Sequence, residues 1–303
     1  MKNDIIHVCC GLNDYYLMPY GVMLVSLFET NNMNKFHVHV FSSSLSNESI
    51  EILKGITNKY NAAFTYYPMD SALLANLAET ERISNITYSW NVMPELIDPA
   101  VNKLLYLDGD MIVLDDIKPL WETDLNGYII AAVDDIVALK FKENERLHIP
   151  EQFGYFNTGT VLINRKEWMK NDLSRKVLSF ARENAEILKY LDQDAGNSIL
   201  YDKRQILHPK WNQQVGVYFL KKNFVKSTYT NAVLNETIHK PVIVHFNGME
   251  KPWDYANMHP FKRKFLYYLK LSGIKKPNVK RPVRKVVKKF VYWVVGWNRW
   301  NRI

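Results

Sequence analysis

The chain has 303 residues, of which 47% are hydrophobic and 13% aromatic, and its formal net charge at pH 7 is +8. This composition is typical of an ordinary globular protein with a sizeable core. The charge is uneven, because residues 274–303 contain ten basic and no acidic residues, whereas residues 1–273 contain 29 basic and 31 acidic ones. A nearly neutral body speaks against binding of nucleic acid across the main domain, where a basic stripe would be expected.

The N-terminal residues do not resemble a targeting segment. Only six residues before Gly11 could form an apolar core, which is too short for a signal peptide, and no run of 18 apolar residues predicts a spanning helix. Cys9 and Cys10 are adjacent, and neighbouring strand residues point to opposite faces. We therefore expect small apolar fillers in a reducing compartment rather than a disulfide or a metal site, and a cytoplasmic protein.

Hydrophobic periodicity predicts an alternation of strands and helices at the start of the chain. In chain order it predicts a strand over Asp4–Gly11, a helix over Tyr20–Asn31, a strand over Lys35–Ser42, a helix capped by Ser46 over Ser46–Tyr60, and a strand over Ala62–Pro68. A βαβαβ opening predicts an α/β fold with a mostly parallel, Rossmann-like sheet flanked by helices.

The alternation continues to about residue 250. The later predictions are a helix over Ile86–Ile97 broken near Pro94, strands over Lys103–Asp108, Gly127–Asp135, Gly159–Arg165, Arg204–His208 and Pro241–Phe246, and helices over Leu173–Leu191 and Gln193–Lys203. In open α/β sheets, ligands bind beyond the carboxyl ends of the strands. The polar clusters at such ends are Gly11–Asp14, Asp108–Asp110, Asp134–Asp135 and His245–Gly248.

The segment "KLLYLDGDMIVL" places Asp108 and Asp110 on either side of Gly109 at the end of an apolar strand. If the strand continues, both carboxylates leave the same face, and Gly109 lets backbone approach a ligand. Two converging carboxylates repel each other unless a cation neutralises them, and Mg²⁺ or Mn²⁺ suits oxygen ligands. The alternative is a surface Asp-Gly hairpin turn, but both flanks are strongly apolar, as at a buried strand end.

His245 ends another apolar run, and Gly248 and Lys251 follow it closely. A single histidine after a strand is more often a satisfied core or surface residue. With a glycine turn and an ammonium nearby, however, it suits a diphosphate site, and a nitrogen ligand beside two carboxylates favours Mn²⁺ over Mg²⁺.

Two further polar segments have simpler alternatives. Asp192, Gln193 and Asp194 stand at a predicted helix start, where acids also serve as caps. The run Asn157–Thr158–Gly159 precedes a predicted strand and alone would be interpreted as a turn.

Taken together, four segments resemble the family 8 glycosyltransferases, which include bacterial lipopolysaccharide galactosyl- and glucosyltransferases and glycogenin. The segments are "KLLYLDGDMIVLDDIKPLW", "YFNTGTVLINRKEW", "LDQDAGN" and "HFNGMEKPW", and the resemblance covers about Ile5 to Trp253. It implies a GT-A fold, a UDP-sugar donor, Mn²⁺ (or Mg²⁺ instead) and retention of anomeric configuration.

The resemblance also implies roles for individual residues. Asp108, Asp110 and His245 would bind Mn²⁺; Gly11, Leu12, Asn13 and Tyr16 would contact uridine; Gly248 and Lys251 would bind the diphosphate; and Asp134, Asn157, Thr158, Gly159, Asp192 and Gln193 would line the sugar pocket. Asp192 would accept hydrogen bonds from sugar hydroxyls, and Gln193 would lie beside the anomeric carbon.

An amide is a poor nucleophile, so Gln193 at that position favours front-face attack over a double displacement, which requires a carboxylate nucleophile. Asp134 and Asp192 remain as alternative nucleophiles. The function that follows is a retaining transfer of glucose or galactose from UDP-glucose or UDP-galactose to a glycan, glycolipid or glycoprotein acceptor.

The sequence departs from the family pattern at two positions. The acid usual near Asn13 stands one place later, at Asp14, and Trp90 stands where an arginine that helps to hold the donor is usual. Arg82 or Lys103 could substitute for that arginine. Because Trp90 stands in place of that arginine, a catalytically impaired relative that only binds a nucleotide-sugar or a glycan is the alternative to an active enzyme. A haloacid-dehalogenase-like phosphatase is the less favoured enzyme class, because its acidic motif usually opens the chain.

Residues 1–273 are predicted to form the catalytic domain and residues 274–303 a basic tail. Valines, Phe290 and Trp297 recur there at helical intervals opposite four basic residues. A tryptophan-rich basic amphipathic helix is typical of a membrane interface, so we expect the protein at the anionic inner face of the cell membrane. The alternative is a helix packed on the domain with a solvated basic face.

Overall fold

The computed structural model describes residues 5–79, 84–219, 229–255, 257–275 and residue 287. Its ten strands are β1 (Ile5–Gly11), β2 (Lys35–Ser42), β3 (Ala63–Pro68), β4 (Lys103–Leu107), β5 (Met111–Val113), β6 (Ile130–Asp134), β7 (Phe156–Asn164), β8 (Arg204–Ile206), β9 (Gln213–Gln214) and β10 (Ile243–His245).

Helices separate most of these strands in the described part of the chain. They are α1 (Leu17–Thr30), α2 (Asn47–Lys59), α3 (Ser89–Leu96), α4 (Lys118–Trp121), α5 (Ile136–Lys140), α6 (Glu143–Arg146), α7 (Arg165–Lys170), α8 (Leu173–Glu183), α9 (Leu191–Leu200), α10 (Gly216–Phe219), α11 (Asn231–His239) and α12 (Lys262–Ser272).

Seven strands form the central sheet, in the order β3-β2-β1-β4-β7-β6-β8. Strands β1 to β4 run parallel to one another, β6 is parallel to β8, and β7 is antiparallel to both of its neighbours. The mostly parallel α/β sheet that the sequence predicts is therefore confirmed. The carboxyl ends of β1 and β4 lie side by side, which brings their following loops to one edge.

Each face of the sheet has its own core. On one face α1 is buried nearly all round, from Met18 to Phe28, as expected of a helix that is apolar on all sides. On the other face α3, α8 and α9 cover the sheet, with Trp90 and Trp168 fully buried. Cys9 and Cys10 are buried free thiols that belong to opposite faces, as predicted.

A second sheet of three short strands, β5-β10-β9, was not predicted. The predicted strand ends at Leu107, a turn follows over residues 108–110, and β5 then pairs antiparallel with β10. The Asp-Gly-Asp segment thus turns the chain from one sheet into the other. The turn alternative describes its backbone correctly, although the segment is not a surface hairpin.

Several predicted boundaries were wrong. Strand β7 begins at Phe156 rather than Gly159, because the Asn197 side chain accepts a hydrogen bond from the Phe156 amide at 2.7 Å and donates to its carbonyl at 2.8 Å. Helix α3 begins at Ser89 and runs through Pro94, where proline removes one helical hydrogen bond only two residues before the end. The predicted N-cap of α2 is confirmed, since Ser46 accepts a hydrogen bond from the Ser49 amide.

The C-terminal tail remains a prediction. Of residues 274–303, only Ile274, Lys275 and Val287 belong to the described residues, so the predicted tail helix lies outside them and the domain boundary after residue 273 stays a prediction. Ile274 packs against α1, where a Cβ at Gly21 would lie 2.3 Å from its Cδ1 atom. Within the described ranges, no helix has the length and apolar character needed to cross a membrane.

Candidate active site

Three side chains that could hold a metal ion meet at the edge where β4 ends. The Nε2 atom of His245 lies 3.4 Å from Asp108 Oδ2 and 3.3 Å from Asp110 Oδ1. Asp110 and His245 are buried, whereas Asp108 is partly exposed. The structure thus brings His245 to the two predicted carboxylate ligands, which lie 135 and 137 residues earlier in the chain.

Backbone hydrogen bonds fix this arrangement on both sides. The Asp108 amide donates to the Gly159 carbonyl at 2.9 Å, and the Phe246 amide donates to the Asp110 carbonyl at 3.0 Å. A Cβ at Gly159 would lie 2.3 Å from the His245 ring. Gly159 is therefore needed for the histidine to fit, which is a packing role beside the predicted sugar-pocket role.

Lys251 neutralises the far side of Asp110. Its ammonium lies 2.5 Å from Asp110 Oδ2 and 2.8 Å from the Phe246 carbonyl oxygen. Burial opposes ionisation of Asp110, but Lys251 and then His245 outweigh it and hold the pKa below its usual value. Burial, and then repulsion from Asp110, raise the pKa of Asp108, although His245 opposes them.

The donor set fits a hard to borderline divalent ion. Two carboxylates and one imidazole face a common point, and Asp110 Oδ1 and His245 Nε2 are directed to that point while Asp110 Oδ2 faces Lys251. Oxygen ligands with one nitrogen suit Mn²⁺, and Mg²⁺ is the alternative. The residues present therefore fit the expected metal, and Asp108, Asp110 and His245 would hold it.

Asn212, which the sequence analysis missed, orients His245. Its Oδ1 atom lies 3.0 Å from His245 Nδ1, and its amide donates to Asn157 Oδ1 at 2.8 Å. Because the amide nitrogen is already directed to Asn157, the oxygen accepts from Nδ1–H. This hydrogen bond leaves the lone pair of His245 on Nε2, where a metal ligand needs it.

Replacement of Asn212 by alanine is therefore expected to weaken Mn²⁺ binding by about 10-fold to 100-fold, since it frees the imidazole to turn and change tautomer. Calorimetric titration of the free protein with Mn²⁺ would measure this. The exposed Asn58 on α2 provides a matched control, Asn58→Ala. Equal affinities for the two variants would contradict the orienting role.

A second polar cluster lies next to this metal-binding group. Asn157 donates to Gln193 Oε1 at 3.0 Å, and the Thr158 amide donates to the same oxygen at 3.2 Å. The Thr158 hydroxyl lies 3.4 Å from Asp192 Oδ2. Four of the six predicted sugar-pocket residues are thus linked by hydrogen bonds, and Asn212 connects them to His245 through Asn157.

Asp192 is fixed by the indole of Trp90. The Trp90 Nε1–H donates to Asp192 Oδ2 at 2.9 Å, and both side chains are buried. Burial raises the pKa of Asp192 to about 7, although hydrogen bonds from Thr87 and Trp90 oppose the shift. Trp90 therefore supplies a neutral hydrogen-bond donor at the position where the resemblance leads one to expect an arginine.

Asp194, by contrast, has a structural role at the start of α9. Its carboxylate accepts hydrogen bonds from the backbone amides of Lys189 and Tyr190 at 2.6 and 2.8 Å. It also accepts from the Tyr155 hydroxyl and forms an ion pair with Arg146. The helix-cap alternative thus describes Asp194, and Asp192 and Gln193 remain for the pocket.

Asp134 and Asp135 point in different directions at a bulge in β6. Asp134 is fully buried and forms an ion pair with Arg204 at 2.7 Å. Asp135 accepts hydrogen bonds from Asn157 and Gln193, each at 3.2 Å. A catalytic role for Asp134 stays a prediction, whereas the hydrogen bonds place the neighbouring Asp135 beside Asn157 and Gln193. Because the strand is irregular at this point, the sequence pattern does not indicate which of the two carboxylates faces the pocket.

The predicted nucleotide loop follows β1 at the same edge. Tyr16 covers the acidic turn, since a Cβ at Gly109 would lie 3.3 Å from its ring. Asn13 caps a short 3₁₀ turn by accepting from the Tyr16 amide at 3.2 Å. Leu12 is buried in the core, and Gly11 packs against Ser89, so any contact of these two with uridine would use the backbone.

The displaced acid, Asp14, and Lys103, a candidate substitute for the usual arginine, both form hydrogen bonds outside the pocket. Asp14 accepts hydrogen bonds from Ser46 and Ser49 and holds the start of α2. Lys103 donates to the carbonyls of Trp121 and Thr123 at the opposite end of β4, away from the acidic turn. Arg82 lies outside the described residues.

Gly248 is partly exposed three residues after His245, and its role in binding a diphosphate stays a prediction.

Comparison with known proteins gives a consistent result. Residues 7–257 match the model of glycosyl transferase family 8. General stress protein A of Bacillus subtilis (strain 168) is 30% identical over 272 residues, covering 88% of this chain and 94% of that protein. A lipopolysaccharide 1,2-glucosyltransferase of Escherichia coli is 29% identical over 263 residues, covering 84% and 76%.

Solved structures show the same fold. The galactosyltransferase LgtC, crystallised with donor and acceptor sugar analogues, superimposes with a TM-score of 0.78 at 21% identity, covering 92% of this chain and 99% of that chain. At this identity the likeness shows the fold alone, and that fold is the predicted GT-A type of α/β fold.

Proposed function

The chain belongs to glycosyl transferase family 8. From that membership we propose that it is a retaining, Mn²⁺-dependent hexosyltransferase whose donor is UDP-glucose or UDP-galactose. The observation that carries the proposal is the convergence of Asp108, Asp110 and His245 beside Lys251. Asn212 connects this group to the buried polar cluster around Gln193 that we propose binds the sugar. No role in binding nucleic acid is proposed.

The chemistry requires charge stabilisation on the diphosphate. A bound Mn²⁺ would supply Lewis-acid stabilisation of the phosphate oxygens. Lys251 adds a fixed positive charge, and a positioned charge in a water-excluded site is worth several kcal/mol, roughly, toward the transition state. Gly248 and the Asn13–Tyr16 turn would place the diphosphate and the uridine.

In the proposed transfer, the acceptor attacks the anomeric carbon from the same face of the sugar that the UDP leaves. The bond from the anomeric carbon to the UDP oxygen breaks, and the acceptor hydroxyl oxygen forms a new bond to that carbon. The hydroxyl proton moves to the departing phosphate oxygen. Gln193 lies in the buried polar cluster and its amide is a poor nucleophile, whereas Asp192 and Asp135 would accept hydrogen bonds from sugar hydroxyls.

A direct assay tests the proposal. The full chain is incubated with UDP-glucose or UDP-galactose, with and without Mn²⁺, and UDP release is measured. Metal-dependent release of UDP is the expected result. Release of phosphate from simple esters would instead favour a phosphatase, and binding without release would favour the impaired relative.

The second candidate, an impaired nucleotide-sugar-binding relative, rests on Trp90 in place of the usual arginine. The hydrogen bond from Trp90 to Asp192 supports an active enzyme, since Trp90 orients the pocket carboxylate itself. Trp90→Phe is therefore expected to weaken UDP-sugar binding about tenfold, the effect of losing one hydrogen bond to a charged group, and to leave UDP binding unchanged.

Trp168→Phe is the matched control, because Trp168 is equally buried and donates its indole N–H to Ser174 rather than to the pocket. Isothermal titration with UDP and with the UDP-sugar separates the two effects. Higher turnover in Trp90→Arg than in the parent would show instead that the native tryptophan impairs the enzyme.

We also propose that the acceptor is a cell-surface glycan or glycolipid and that residues 274–303 hold the enzyme at an anionic inner membrane surface. Support comes from the ten basic residues of that segment and from relatives named as lipopolysaccharide transferases. In liposome flotation with anionic vesicles, the full chain is expected to float and a chain of residues 1–273 to stay behind. Equal flotation of both would reject the tail as the anchor.

A further inference from the structure

Three histidines form a cluster that has no part in the transfer reaction. His7 lies on β1, and His37 and His39 lie on the neighbouring parallel strand β2. In the register, His7 is opposite His37 and Cys9 is opposite His39. Because alternate residues of a strand leave the same face, the three imidazoles project together from one side of the sheet.

Their ring nitrogens converge. His7 Nδ1 lies 2.9 Å from His39 Nε2, and the rings of His37 and His39 stack with centroids 4.0 Å apart. One nitrogen of each ring lies within 4.8 Å of the nitrogens of the other two. His39 is buried, whereas His7 and His37 are partly exposed, so solvent can reach the outer side of the cluster.

Hydroxyl groups on the next strand hold two of the rings from behind. Tyr67 Oη lies 3.1 Å from His39 Nδ1, and Thr65 Oγ1 lies 2.8 Å from His37 Nε2. Since one nitrogen of each ring contacts a hydroxyl, the other nitrogen, Nδ1 of His37 and Nε2 of His39, can bind a shared metal ion. Metal-bound histidines are commonly held in this way by a hydrogen bond to the ring nitrogen that does not bind the metal.

The cluster is separate from the active site. His7 precedes Gly11, the end of β1, by four residues, or about 13 Å along a strand. Its neighbour on the outer side is Trp121, with ring centroids 6.3 Å apart. The histidines therefore lie toward the amino-terminal edge of the sheet, whereas the acidic turn follows the carboxyl end of β4.

We propose that His7, His37 and His39 form a second metal site, selective for a late first-row ion such as Zn²⁺, which joins β1 to β2. Three imidazole donors favour Zn²⁺, Co²⁺, Ni²⁺ or Cu²⁺ over Mg²⁺ and Mn²⁺, and three histidines with one solvent position are a known zinc arrangement. On binding, the proton between His7 Nδ1 and His39 Nε2 would move to His7 Nε2, which keeps both imidazoles neutral and leaves both lone pairs for the ion.

Cobalt binding tests this site apart from the active site. The parent is the full chain carrying Asp110→Asn, which weakens the carboxylate site, and the probe is Co²⁺. Tetrahedral nitrogen-bound Co²⁺ absorbs strongly in the visible range, whereas six-coordinate oxygen-bound Co²⁺ absorbs weakly. We expect an intense band that saturates at one Co²⁺ per chain and is removed by one equivalent of Zn²⁺.

Two partly exposed ligands allow substitutions that preserve the core. His7→Gln and His37→Gln, each in the Asp110→Asn parent, are expected to weaken Co²⁺ binding at least about tenfold. His239→Gln is the control, since His239 is exposed on α11 and outside the cluster. Zn²⁺ should also raise the melting temperature of the parent and the control but not of the two variants.

An intense band that is unchanged by both His7→Gln and His37→Gln would overturn the proposal, as would the absence of any intense band in the parent. Circular dichroism confirms that each variant is folded. The result is independent of transferase activity, so failure of the site and failure of the proposed function are distinguishable.

Discussion

Replacing Asp110 with asparagine is expected to abolish metal-dependent UDP release, lowering kcat/KM at least about 10³-fold, which corresponds to roughly 4 kcal/mol. Asparagine keeps the shape of the side chain but removes the charge that faces His245 and Lys251. The metal would lose a charged ligand, and the diphosphate would lose the ion held by that ligand.

The fold should survive this change. Lys251 keeps its hydrogen bond to the Phe246 carbonyl, and repulsion between Asp108 and Asp110 is relieved. Circular dichroism should therefore stay near that of the parent, whereas the melting temperature should fall somewhat, because the ionised Asp110 that Lys251 stabilises is lost. Asp115→Asn in the same segment is the control, because Asp115 is exposed beyond β5. Full activity of Asp110→Asn would reject the metal assignment.

Replacing Lys251 with methionine is expected to lower kcat about 10²-fold, the usual cost of removing one fixed donor to a developing negative charge. The ammonium lies beside Asp110, on the side away from His245, and under the proposed function it would stabilise the charge that develops on the diphosphate. Methionine keeps an unbranched side chain of similar length but removes the charge, together with the hydrogen bonds to Asp110 and to the Phe246 carbonyl.

The control and the rescue make this result specific. Lys240→Met changes an exposed lysine after α11 and should leave turnover unchanged, whereas Lys251→Arg should restore part of it. Steady-state kinetics with the UDP-sugar measures all three variants. If Lys251→Met raised KM alone, the ammonium would contribute to ground-state binding and not to leaving-group stabilisation.

The sequence predicts the sheet well where local pattern and burial agree. The alternation of Lys35–Ser42 and the Ser46 cap appear as expected, because strand period and capping are local properties. The start of β7 depends instead on Asn197, some 40 residues away, and β5 depends on pairing with β10. Such long-range contacts leave no periodic signal in the sequence.

The convergence of three side chains was predictable because they stand in short motifs at strand ends, whereas their role in binding a metal stays a prediction. The structure brings Asp108, Asp110 and His245 within a shared ion's reach, as the resemblance implied. Asn212 and Asp135 were not found. Asn212 is a single asparagine after a short turn, and a bulge in β6 decides which of two adjacent acids faces the pocket.

The hydrogen bond between Asn212 and Asn157 has a consequence for the order of events. It joins the imidazole that would bind the ion to the amide that contacts Gln193, so ordering one side partly orders the other. Coupling between two binding sites is reciprocal: if the ion increases affinity for the sugar end of the donor, that end increases affinity for the ion by the same factor. Under the proposed function, and with that sign of coupling, UDP would hold the ion less firmly than the intact donor does, so the ion would leave more readily after transfer than before it.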